Sequence, residues 1–157
     1  MVLVSVSQAQ ILSLDLSPVT NLVAPWLAAG TIAPQEHSIQ FQIDFPRPAD
    51  DPRELSEIPE VRLWFLRLDA TYPWFPFLLD WKAGELARYV AMLVPHQFHR
   101  TEGIQYNPEA LELLMMQKVF VLAHWLPTQN LPSAFRLKSL AQMLGYDLED
   151  NFLAGLA

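Results

Sequence analysis

Thirteen prolines in 157 residues constrain what this chain can fold into more than any other feature. Each proline fixes φ, removes a backbone donor, and interrupts a helix interior or a central strand. Average usage would give about eight. The sequence therefore encodes many turns and few long uninterrupted elements. The length fits one domain with one core, so 1–157 is read as a single globular domain. Apolar residues make up 52% of the chain and charged residues 17%, against a usual charged share of about 25%. A sizeable core is available, with some apolar surface left over.

The net charge of −7, with ten Lys and Arg in no run, argues against a phosphate-binding surface and hence against nucleic acid. Acidity favours solubility and basic partners. There is no cysteine, which excludes disulfides, thiolate catalysis and Cys-ligated metal or cluster sites within this chain. Residues 1–14 are apolar but lack the basic start and small-residue cleavage site of a signal peptide. No run of about 18 apolar residues could insert into a membrane. A soluble, cytoplasmic protein without a cofactor is the expectation.

A short strand at 2–6 and a turn of helix open the chain. Ser17-Pro18 reads as a helix start whose serine accepts a free backbone N–H, with Gly30 as its stop and Pro25 as a kink. Residues 37–45 alternate: Ile39, Phe41, Ile43 and Phe45 on one side, Ser38, Gln40, Gln42 and Asp44 on the other. That is a half-buried strand. Residues 46–59 form a loop, holding one helical turn at 52–56. Residues 61–69, 74–81 and 86–94 read as three strands from their β-branched and aromatic content, with Lys82-Ala83-Gly84 as a hairpin loop. The rival reading makes 59–70 and 82–93 helices. After a loop at 95–106, Asn107-Pro108-Glu109 starts a helix running to Leu126, stopped by Pro127. A last helix runs from Ser133 to Gly145, with Leu137, Leu140, Ala141 and Leu144 inward. The acidic, then apolar tail 146–157 caps the core. The fold class expected is α+β: an antiparallel sheet of about four strands with C-terminal helices on one face.

Chemistry-bearing motifs are sparse. His96 and His99 form H-x-x-H, a spacing that can offer two imidazoles to one metal, and Asp80 or Glu102 would have to complete the site. A small metal-dependent enzyme on this loop is the alternative function, set against two ordinary loop histidines. Asp69, Asp80 and Glu85 could do acid–base work only if held together in a pocket. Nucleophile-elbow, P-loop and dinucleotide motifs are missing. The helix at 137–145 has a helix-turn-helix flavour, but Asp147, Glu149 and Asp150 follow where a basic recognition helix would be needed. No catalytic, cofactor or metal residue is therefore assigned.

The helix at 108–126 is apolar all round. Leu111, Leu114, Met115, Val119 and Leu122 lie on one side. Leu113, Met116 and Phe120 lie on the other, among Glu109, Glu112, Gln117 and His124. Either it is sandwiched between sheet and helix, or Leu113, Met116 and Phe120 face a partner. A second candidate patch is aromatic: Trp64, Tyr72, Trp74, Phe75, Phe77 and Trp81, with Arg62, Arg67 or Arg88 beside it. It is either core or interface. The partner-binding candidates are Trp64, Trp74, Trp81, Arg88, Leu113, Met116 and Phe120.

The strings L-D-L-S-P-V (14–19), I-P-E-V-R-L-W-F-L-R-L-D (58–69), Y-P-W-F-P-F-L-L-D-W (72–81), G-E-L-A-R-Y-V-A-M-L-V-P-H-Q-F (84–98), G-I-Q-Y-N-P-E-A-L (103–111) and L-A-Q-M-L-G-Y (140–146) resemble the chlororespiratory reduction 6 family, over nearly the whole chain. That family occurs in cyanobacteria and chloroplasts, as soluble assembly factors for the photosynthetic NAD(P)H dehydrogenase-like complex. The resemblance implies a non-enzymatic factor linked to maturation of a small iron–sulfur subunit of the hydrophilic arm. It supplies no catalytic residues. With no Arg- and Ser-rich transit peptide, it implies a cyanobacterial cytoplasm, the plastid counterpart being stromal.

Overall fold

The computed structural model describes residues 1–156. Its backbone gathers into two compact units, residues 1–93 and 94–157.

The first unit opens on β1 (Val2–Ser7), then α1 (Gln8–Leu12), α2 (Ser17–Ala29) and β2 (Ile39–Asp44). Ser7 and Gln10 cap α1 reciprocally: Gln10 N–H donates to Ser7 Oγ and Ser7 N–H to Gln10 Oε1. The cap of α2 comes from Asp15, whose Oδ1 accepts the Ser17 N–H at 2.9 Å, and not from Ser17 itself. Pro25 sits inside α2. Gly30 ends it at φ 68°, and the following Thr31 N–H returns to Trp26 O at 2.9 Å. Only a residue without a Cβ adopts that conformation cheaply.

The alternating segment is a strand, as expected, but its partner is parallel: β1 pairs with β2 from Val2↔Ile39 to Ser7↔Asp44. A parallel pair needs a crossover of a dozen residues or more, which α1 and α2 provide. Val4, Val6, Ile39 and Phe41 face the core.

Residues 61–94 correct the strand reading in favour of its rival. They form α3 (Pro59–Thr71), a 3₁₀ turn (Phe75–Leu78) and α4 (Glu85–Leu93). Val61, Trp64, Phe65 and Leu68 are buried while Leu63 and Leu66 are exposed, a period of 3.6 and not 2. Aromatic bulk mimicked strand propensity, but packing against one face decided the outcome. Lys82-Ala83-Gly84 is not a hairpin. Asp80 Oδ1 accepts the Ala83 N–H at 3.1 Å, and this turn leads into α4. The core is a cluster of Phe41, Trp64, Phe65, Phe75 and Tyr89, with ring centroids 5.0 to 6.1 Å apart and mostly edge-on.

The second unit begins with a hairpin where a loop was expected: β3 (His96–His99) pairs antiparallel with β4 (Gly103–Tyr106). The sheet content of the described residues is thus two separate two-stranded sheets, not one antiparallel sheet of about four strands. Next comes α5 (Pro108–Thr128). Asn107 Oδ1 accepts the Ala110 N–H at 3.0 Å and caps it. The helix passes Pro127 by one residue, to Thr128, instead of stopping at Leu126, since a proline in the last turn forfeits only one donor. Leu137, Leu140 and Ala141 of α6 (Ala134–Met143) are buried, and α6 packs against α5. The tail carries α7 (Asp150–Gly155), of which Leu153 is buried and Phe152 is not. Residue 157 of the tail lies outside the described residues.

Candidate protein interface

The partner-binding candidates part into two groups. In the first unit, Trp64 is 0% exposed. Its Nε1–H donates to Asp15 O at 2.8 Å, so the indole joins α3 to the segment before α2. Trp74 is buried, with its ring 5.6 Å from Tyr72. Phe75 and Phe77 are buried too. Most of the aromatic patch is therefore core. Trp81 is half-buried, donates Nε1–H to Pro76 O at 3.0 Å and lies 4.2 Å from the His37 ring. Of the arginines, Arg62 bonds Ser56 O and Ala91 O, both at 2.9 Å, and burial lowers its pKa. Arg88 donates to Glu85 Oε1 at 2.7 Å and to Phe41 O.

In the second unit the long helix keeps the opposite character. Leu113 is 71% exposed and Phe120 is 44% exposed, seven residues apart on one face of α5, with Met116 half-buried between them. Phe152 of α7, missed by the sequence reading, extends the same stripe: its ring meets Phe120 edge-on, centroids 6.4 Å apart, and it is 37% exposed. The tail is too short to show a helical period, so nothing in the sequence marked Phe152 out. The opposite face of α5, Met115, Val119, Leu122 and Leu126, is buried. Exposed Phe98 and Ile104 face each other across the hairpin and form a smaller apolar spot, also unforeseen.

The candidate chemical groups do not converge. His96 and His99 are three residues apart on β3, so their side chains leave opposite faces of the strand. His96 Nδ1 contacts Val94 O at 3.0 Å, and His99 Nδ1 contacts Thr101 Oγ1 at 3.0 Å. Among the described residues no three His, Asp or Glu gather as metal ligands would. Asp80 has its carboxyl pKa lowered, chiefly by the hydrogen bond from Gln40 Nε2. Asp69 is buried in α3 and accepts the Tyr89 hydroxyl at 2.8 Å. Burial raises the Glu85 pKa, opposed by Arg88. A groove of about 400 Å³ at the base of the hairpin is lined by Pro95, His96, Gln97, Gln105, Tyr106 and Asn107, with no carboxylate or ammonium. Every buried side-chain nitrogen and oxygen among the described residues has a hydrogen-bond partner. No described helix is long and apolar enough to cross a membrane.

What the described residues do present is an exposed apolar stripe of Leu113, Phe120 and Phe152. In comparison with known proteins, the sequence model of the family described as chlororespiratory reduction 6 matches residues 6–155. No solved structure matches the chain.

Proposed function

Since the chain belongs to the chlororespiratory reduction 6 family, a family of assembly factors for the NAD(P)H dehydrogenase-like complex, we propose that it binds one subunit of that complex during maturation, without catalysis. The subunit proposed is the small iron–sulfur protein of the hydrophilic arm. The observation that supports a binding role is the exposed stripe of Leu113, Phe120 and Phe152. A strip of three large apolar side chains is small enough for a monomer to carry exposed, and covering it with a partner gains about 25 cal/mol per Å² of apolar surface removed from water. A chain without cysteine cannot carry a cluster on its own thiolates. Its service to such a subunit is to shield apolar surface while the subunit is incomplete.

A tagged pull-down from cells building the complex tests this, with captured proteins identified by mass spectrometry. The expected catch is the iron–sulfur subunit without the finished complex. Met116→Asp and Phe120→Asp, each folded by circular dichroism, should lose it. Co-purification with the complete complex would make the chain a resident subunit instead, and capture of no subunit would overturn the reading.

A further inference from the structure

We propose that the stripe on α5 and α7 docks an amphipathic helix whose apolar residues are flanked by lysines or arginines. This rests on the binding role above and names the chemistry of the surface it would meet. Leu113 and Phe120 stand two turns apart, about 10 Å along the axis, and Phe152 continues the strip. A strip this long and one side chain wide matches a helix presenting apolar residues at i, i+3 or i+4, and i+7. It is too small for a broad protein face, which needs about 800 Å² per partner. Half-buried Met116 adapts in shape to what sits on it.

The charge around the stripe selects the flanks. Glu109 and Glu112, both exposed, lie one turn or less before Leu113. Exposed Glu149 lies one turn before Phe152. Little basic charge offsets them. Lys118 of α5 is buried. Lys138 is already held by Asp150 at 3.3 Å. Arg136 donates to Pro132 O and lies 4.5 Å over the Phe135 ring. An apolar strip with acids at both ends attracts a cation-flanked helix and repels an anionic one. The same acids disfavour a second copy, whose stripe would bring like charge against like charge.

The test uses the full chain and three synthetic 16-residue helical peptides: leucines at i, i+3, i+4 and i+7 with lysines at both ends, the same peptide with glutamates at the ends, and a scramble of the first. Binding is read by fluorescence anisotropy. The lysine-flanked peptide should bind at least tenfold tighter than the other two, with affinity falling as salt rises. Glu109→Lys with Glu112→Lys should weaken it at least threefold and strengthen the glutamate-flanked peptide. Phe120→Asp should abolish binding with the circular dichroism unchanged, and Phe120→Leu should retain it. Equal binding of all peptides, no binding of any, or indifference to charge reversal overturns the proposal. If the peptides fail to discriminate while the chain still captures the iron–sulfur subunit, the assembly role stands and this chemistry falls. Discrimination without subunit capture does the reverse.

Discussion

At the scale of single residues, buried polar contacts give the sharpest expectations. The Tyr89 hydroxyl donates to Asp69 Oδ1 at 2.8 Å inside the aromatic core of residues 1–93. Burial comes first, and the neighbouring carboxylate second, in raising the phenol's pKa well above its ordinary value. Tyr89→Phe keeps the ring against Phe65 and Phe75 but removes a donor from a buried carboxylate. It should cost about 1–3 kcal/mol, seen as a lower urea midpoint at constant slope. An unchanged midpoint would mean the bond adds nothing net. Glu85 carries a pH signature. Its pKa is raised above the ordinary 4.5, chiefly by burial. The folded chain therefore holds this proton more tightly than the unfolded chain. The group's stabilising contribution is full below pH 4.5 and is lost as pH rises through the folded pKa. Asp80, with its pKa lowered, acts in the opposite sense and only as pH falls through the acid range. Glu85→Gln should flatten the decline in unfolding free energy just above pH 4.5, and identical pH profiles for both proteins would refute this role. Asp69, Asp80 and Glu85 stood out in sequence only as acids, since an acid reveals its partners only once the fold brings 69 to 89 and 85 to 88.

At the scale of elements, residues 61–69 show why the fold was half legible. In a strand, Trp64, Leu66 and Leu68 would share a face; in a helix, Val61, Trp64, Phe65 and Leu68 do. The segment is apolar enough to satisfy both periods. The Pro59-Glu60 start, the same signal that located α5 at Pro108-Glu109, was the discriminating cue. Leu66→Lys should change stability by no more than about 0.5 kcal/mol. Leu68→Ala should cost about 2–5 kcal/mol. A large penalty at both positions in chemical denaturation would restore the strand. Local caps were easier to read because their chemistry is contained in three or four residues. Asn107→Ala should cost about 1 kcal/mol through the lost bond to the Ala110 N–H, measurable as a fall in thermal midpoint. Strand pairing was not readable, because the partner of Ile39–Asp44 is a segment more than thirty residues earlier and no local rule selects it. The hairpin at 96–106 was missed because its strands are four residues each and mostly polar. Of the candidate interface, Leu113 and Phe120 were legible from the period of a 21-residue helix. For the aromatic patch the sequence left core and interface both open, because aromatic content alone cannot say which side of a helix faces in, and four of its six residues are buried.

At the scale of the whole molecule, charge is divided unevenly. Eleven acids against six bases leave residues 1–93 at −5, and six acids against four bases leave 94–157 at −2, which together give the −7 of the chain. The summed field and the local rim of the stripe should act on different steps of binding. Overall net charge raises the rate at which a cationic partner arrives, with little effect on the bound state. Acids at the contact also hold the partner in place. Asp44→Asn, Asp50→Asn and Glu60→Gln together take the chain from −7 to −4 at exposed positions of the first unit. This triple variant should slow association of the lysine-flanked peptide by on the order of two- to fivefold at low salt and leave its dissociation rate unchanged. Raising ionic strength to about 0.5 M should erase the difference as the Debye length shrinks to a few ångströms. Reversal of Glu109 and Glu112 should instead raise the dissociation rate and keep part of its effect at high salt. If stopped-flow traces gave the two variants the same pattern, the stripe's acids would be only a share of the overall charge, and the basic flanks assigned to its partner would lose their basis.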